Sequence, residues 1–80
     1  DDARRKEFYA QFIQTGDTVF DIGANMGNRS KVFLSLGAKV VGVEPQSKCA
    51  KFLSTVMKKN SEFYLLNKAV GYLFFISYIV

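Results

Sequence analysis

Apolar positions along the chain follow two different periods, and the way these alternate predicts a fold. Over residues 3–14, Phe8, Tyr9, Phe12 and Ile13 share one face while Glu7, Gln11 and Gln14 lie elsewhere; this is helical spacing, ended by Thr15-Gly16. Thr18-Val19-Phe20-Asp21-Ile22 is a short run of β-formers closed by Gly23, the pattern of a strand buried on both faces. From Asn28, a natural N-cap, the positions of Val32, Phe33 and Leu36 predict a short helix stopped by Gly37. A second buried strand is expected over residues 38–43, ending at Glu44-Pro45, where proline cannot continue the pairing. Over residues 46–60, Cys49, Phe52, Leu53, Val56 and Met57 form one stripe, with Lys48, Lys51, Lys58 and Lys59 facing water. Residues 62–69 read as a third strand, and residues 72–80 are an apolar run with no helix after it.

Helix and strand alternating at this spacing are the signature of an α/β fold in which right-handed crossovers wrap a parallel sheet. The pattern covers one mononucleotide-binding half of a doubly wound, Rossmann-like domain. The expected organisation is an N-terminal helix over residues 1–16, a cofactor-binding βαβαβ unit over 17–71 and an apolar tail over 72–80.

Composition narrows this picture. With 49% hydrophobic and 15% aromatic residues the chain is globular rather than disordered. Its 80 residues fall short of a usual domain of roughly 100–200, and the first residue is not methionine, so a fragment truncated to about the first three βα units is expected. One cysteine and no histidine leave no internal disulfide and no zinc site, so no metal is expected. The net charge of +4 is dispersed, and its only runs, Arg4-Arg5-Lys6 and Lys58-Lys59, lie on predicted helices. They read as solvated faces rather than a phosphate-tracking groove, so no nucleic-acid partner is expected. No secretory signal precedes the first helix, and the apolar tail is shorter than the ~20 residues needed to cross a bilayer, so no membrane span is expected. A lone thiol fits a reducing cytoplasm.

The candidate chemistry sits in Val19-Phe20-Asp21-Ile22-Gly23-Ala24-Asn25-Met26-Gly27-Asn28, which joins the first strand to the second helix, where open α/β folds bind nucleotide-like ligands. Gly23 lets the chain turn off the strand and Gly27 permits close helix–strand packing. Glu44 lies 21 positions beyond Gly23 (44 − 23), near the ~20-residue offset of a ribose-binding carboxylate. Together these imply an adenosine-bearing cofactor. A dinucleotide needs a middle glycine where its pyrophosphate approaches, and here that position is Asn25; Asp21 adds a negative charge nearby. S-adenosyl-L-methionine carries no phosphate, and its ammonium and sulfonium suit Asp21 and Asn25. A P-loop is excluded because no Gly-Lys-Ser or Gly-Lys-Thr follows. Cys49 reads as a core residue.

These residues resemble a known group. The loop just quoted, then Val32-Phe33-Leu34, Leu36-Gly37-Ala38, Val41-Gly42-Val43-Glu44-Pro45-Gln46 and Asn67-Lys68-Ala69-Val70-Gly71, look like the FkbM family of S-adenosylmethionine-dependent methyltransferases over roughly residues 8–71. The resemblance implies a class I methyltransferase fold and methyl transfer to a hydroxyl oxygen of a small molecule or glycan. Carried over by position, Asp21, Gly23, Asn25, Gly27 and Asn28 surround the methionine part of the cofactor, Glu44 takes the ribose hydroxyls, and Gln46 and Ala69 approach the adenine. The chain departs from the family after Gly71, where an apolar run replaces a polar turn and further strands. No acid–base pair stands out, so no catalytic residue is named; in-line methyl transfer depends mainly on positioning. Two other readings stay open. One is a fragment of a nicotinamide-dependent oxidoreductase. The other is a non-catalytic remnant, or a module that associates with itself or a partner through an unprotected sheet edge and the apolar tail.

Overall fold

Each run of β-formers closed by a glycine or proline stop is extended, and the stretches between are helical. The computed structural model describes residues 2–68 as α1 (Asp2–Tyr9), β1 (Thr18–Ile22), α2 (Asn28–Ser35), β2 (Lys39–Val43), α3 (Ser47–Val56) and β3 (Phe63–Leu66). The strands form one parallel sheet in the order β1-β2-β3. The predicted order of elements is therefore the observed one, and the fold is Rossmann-like α/β.

Strands laid down in a single direction through right-handed crossovers place their helices on one face of the sheet. Val19, Val40 and Phe63 stand side by side in register on that face and pack with Phe33 and Leu34 of α2 and Tyr9 of α1. On the opposite face Phe20, Val41 and Tyr64 are in register, and Phe20 and Tyr64 are 55% and 51% exposed. β1 is thus covered on one face among the described residues, whereas its apolar run had suggested burial on both. Central β2 carries Gly42, where a Cβ would come within 2.6 Å of the Phe63 ring and 3.4 Å of Ala24 Cβ. The missing side chain lets Phe63 and the loop residue Ala24 close over the strand.

Helix boundaries depart from the pattern where packing is thin. α1 ends at Tyr9 and gives way to turns, with Ile13 N–H donating to Tyr9 O at 3.0 Å. It buries none of its residues and meets the core through an edge-on contact of Tyr9 with Phe33, ring centres 4.8 Å apart. So short a helix gains little from propensity alone, and its second half is not held. In α3 the buried line is Ala50 and Leu53, continued by Met57 after the helix, while Phe52 and Val56 are exposed. The stripe is narrower than predicted because it faces the tight turn at Gly27. β3 stops at Leu66, where the Asn67 side chain turns back to donate to the Glu44 and Pro45 carbonyls at 2.7 and 3.2 Å. The predicted end of that strand at Ala69 and the tail over 72–80 lie outside the described residues. Among these, no helix is long and apolar enough to cross a membrane.

Candidate functional site

The turn after β1 is built from backbone that favours glycine. Gly23 (φ 70°), Asn25 (φ 54°) and Gly27 (φ 86°) are all left-handed, and asparagine is one of the few other residues that tolerates this. Gly23 and Ala24 N–H both donate to Val43 O, at 2.8 and 2.9 Å, so the turn is stitched to the end of β2. At Gly27 a Cβ would lie 2.8 Å from Leu53 Cδ2 and 2.9 Å from Met57 Cε. The close approach at Gly27 is therefore to side-chain ends of α3 and the residue after it, rather than to a strand, and the positive φ is what favours glycine there. Gly27 also occupies the N-cap position of α2, with no side-chain cap. Asn28 is the first helical residue, not the cap its side chain suggested.

Glu44 is 4% exposed and its carboxylate is tied to backbone at both oxygens. Oε1 accepts from Asn25 N–H at 2.7 Å and Oε2 from Gln46 N–H at 2.9 Å. Each oxygen keeps a further lone pair, so hydroxyl groups can be accepted without breaking either bond. The acid borders a cavity of about 270 Å³ together with Gly23, Asn25, Pro45 and Gln46.

Asp21 lies elsewhere. Strand alternation puts it on the helix-covered face beside Val19, 3% exposed, where Oδ2 accepts from Ser30 Oγ at 2.6 Å and Oδ1 is 3.0 Å from Arg29 Nη2. Its charge is balanced beneath the turn, so it does not present a bare acid to repel a diphosphate. Arg29, which the sequence did not single out, also donates through Nη2 to the Ile22 and Gly23 carbonyls at 3.1 and 3.0 Å. It lines a second cavity of about 270 Å³ with Arg5, Tyr9 and Asn28, and this cavity shares Gly23 and Asn25 with the first. Arg5 had read as part of a plain solvated run, and nothing in its spacing signals the turn.

Of the predicted residues, then, Gly23 and Asn25 border both cavities, Glu44 and Gln46 the first and Asn28 the second. Gly27 sits under α3 and Asp21 under the turn, while Ala69 lies outside the described residues. Cys49 is half-buried rather than core, its Sγ 3.5 Å from Asn25 Oδ1 and 3.7 Å from Gln46 Oε1. A larger hollow of about 670 Å³, lined by Lys31, Met57 and Lys59 among others, lies toward the opposite end of the sheet and contains none of the predicted site residues.

No family model matches the sequence, and no curated protein matches it. Solved structures do. A protein from Pyrococcus horikoshii described as an RNA methyltransferase is 26% identical and superposes with a TM-score of 0.69 over 81% of this chain and 34% of its own. PRMT6 with SAH gives 23% identity and a TM-score of 0.76 over 90% of this chain and 22% of its own. The glycopeptide N-methyltransferase MtfA, complexed with sinefungin, gives 20% and 0.68 over 80% and 28%. The chain spans about a third or less of each of these proteins. The fold is that of the Rossmann-like portion of methyltransferases.

Proposed function

We propose that the chain binds S-adenosyl-L-methionine through residues 17–71 and is the cofactor-binding portion of a methyltransferase. The observation that carries this is Glu44, a carboxylate fixed by two backbone amides beside a cavity, with a lone pair on each oxygen for the two ribose hydroxyls. The donor set fits such a ligand. Glu44 would hold the ribose, Gln46 the adenine side, and the Gly23–Gly27 turn with Asn28 would run along the methionine part. Asp21 would act from beneath, holding Ser30 and Arg29 in place. When bound, the cofactor supplies a methyl group on a positively charged sulfur. The residues described here bind and orient it, and none is assigned to proton transfer.

Within this class the motifs around Gly23, Glu44 and Asn67 favour an FkbM-like enzyme acting on a hydroxyl of a small molecule or glycan, in the cytoplasm. One protein of the same fold is described as an RNA methyltransferase, so RNA belongs among the acceptors to be tried.

A nicotinamide dinucleotide is the second reading. Two guanidinium groups beside the turn favour it, since they would suit a diphosphate. Against it stands Asn25, whose side chain occupies the place of the fingerprint's middle glycine. Calorimetric titration with S-adenosylhomocysteine and with NAD separates the two. Micromolar binding of the first and none of the second is expected, and the reverse result would reject the methyltransferase reading. Binding of neither would favour the non-catalytic remnant.

A further inference from the structure

We infer that the outer surface of the helix layer is a track for single-stranded RNA, laid by Lys6 of α1, Lys31 of α2 and Lys59 just after α3. Between the carboxyl ends of α2 and α3 lies the hollow of about 670 Å³, and a second of about 260 Å³ lies between α1 and α2. The two adjoin, because Lys31 and Ser35 border both. Exposed lysines therefore follow one another along the joined hollows, with Lys6 in the smaller, Lys31 shared and Lys59 in the larger. Among the described residues none of these amines is ion-paired or hydrogen-bonded. Asp2, an acid at the border of the smaller hollow, lies 3.7 Å from Arg5. Each lysine comes from a different part of the chain, so the track forms no basic run in the sequence.

The spacing of the amines selects the ligand. At ordinary helix spacing the track runs roughly 16–20 Å from α1 to α3, too far for one phosphate group to answer all of them. A ligand that meets them together carries repeated charges along a chain. Lysine presents a point charge that suits phosphate, whereas the carboxylates of an acidic peptide are matched best by the arginine fork. Among the described residues no arginine borders either hollow. A flat lipid surface would span the hollows without entering them, and a duplex, stiff over about 150 base pairs, would not bend into them. A single strand follows such a path. Ribose is favoured over deoxyribose at the Lys59 end, where the Asn60 amide nitrogen and the Ser61 hydroxyl border the hollow with no hydrogen-bond partner among the described residues. A 2′-hydroxyl both donates and accepts, so it can pair with either group. Leu34, Val56 and Met57 give a base an apolar surface to lie on. The carboxyl ends of α2 and α3 turn partial negative charge toward the strand, so binding should be weak and readily displaced by salt.

The test is fluorescence anisotropy of the 80-residue chain with a labelled oligouridylate of about twelve nucleotides, across a range of salt concentrations. A Kd of about 1–100 µM is expected, and the logarithm of affinity should fall against that of salt with a slope of about −2, each contacted phosphate adding about −0.7. Lys6→Gln, Lys31→Gln and Lys59→Gln should each weaken binding about fivefold at about 0.1 M salt and flatten the slope by about 0.7. Lys48→Gln removes the same charge from an exposed position outside both hollows and should leave affinity and slope at the parent's values. Oligothymidylate of the same length should bind about three- to tenfold more weakly, as the loss of one or two hydrogen bonds requires. All of these lysines are exposed, so an unaltered circular dichroism spectrum is expected for every variant. No binding of the oligouridylate, an effect of Lys48→Gln equal to that of Lys31→Gln, or equal affinity for oligothymidylate would overturn the track. The cofactor reading stands apart from these outcomes, because the hollows contain none of its residues, and S-adenosylhomocysteine should bind every variant as it binds the parent.

Discussion

The backbone N–H of Asn25 donates to Glu44 Oε1 at 2.7 Å, joining positions nineteen residues apart in sequence. The left-handed turn after β1 and the acid at the end of β2 are thereby one unit, since moving either leaves a buried carboxylate oxygen short of a donor. Glu44→Gln tests that unit. An amide nitrogen cannot accept from a backbone N–H, so Asn25 or Gln46 loses its partner and the ribose loses an acceptor. Affinity for S-adenosylhomocysteine should fall about ten- to a hundredfold, and hydrogen exchange at the Asn25 or Gln46 amide should quicken. Unaltered affinity would take Glu44 out of the site.

Glycine positions in the turn separate backbone strain from crowding. Gly23→Ala places a Cβ in open space, leaving only left-handed strain of roughly 1–2 kcal/mol. Gly27→Ala adds contacts of 2.8 Å with Leu53 and 2.9 Å with Met57, so a loss of about 2–4 kcal/mol is expected. Urea midpoints of the two variants should rank in that order. Equal midpoints would mean that α3 yields to the added methyl group.

Asp21 should matter more to stability than to affinity. Removing it in Asp21→Ala strands Ser30 and Arg29, but Arg29 is 45% exposed and can be rehydrated. The cost should fall below the roughly 3–5 kcal/mol of breaking a fully buried pair, at about 2 kcal/mol. At temperatures where the variant is folded, its affinity for S-adenosylhomocysteine should fall by less than that of Glu44→Gln, because Asp21 acts on the turn only through Arg29 and Ser30. A loss as large as that of Glu44→Gln in a stably folded variant would contradict this indirect role.

The two faces of the sheet should respond differently to truncation. Leu53→Ala, at a fully buried position, should cost about 2–5 kcal/mol. Phe20→Ser, on the exposed face, should stay within about 1 kcal/mol. Thermal melts of the two variants check this, and a Phe20 substitution as costly as Leu53→Ala would mean that the face is covered in solution.

Periodicity and stop residues made the element order legible, and with it the parallel sheet and the placing of the Gly23 turn near Glu44, because regular alternation of strand and helix sets where each strand ends. What escaped depends on direction in space. The apolar run Val19 to Ile22 conceals an alternation in which Val19 and Asp21 face the helices while Phe20 and Ile22 do not. Asp21 could therefore be read as a charge near the turn without showing that Ser30 and Arg29 neutralise it from below. Cys49 sits at the start of an apolar stripe, yet that end of α3 lies against Asn25 and Gln46 rather than the core. Arg5 reaches the turn because α1 docks on α2, with Tyr9 edge-on to Phe33, a tertiary contact that leaves no spacing signal.

A crystal structure of the chain with S-adenosylhomocysteine is the most direct measurement of where the ligand sits. Both ribose hydroxyls should lie within about 2.5–3.0 Å of the Glu44 carboxylate, with the Asn25 N–H bond intact. Ligand density in the hollow beside Lys31 and Lys59, or a Glu44 carboxylate facing no ligand atom, would contradict the account.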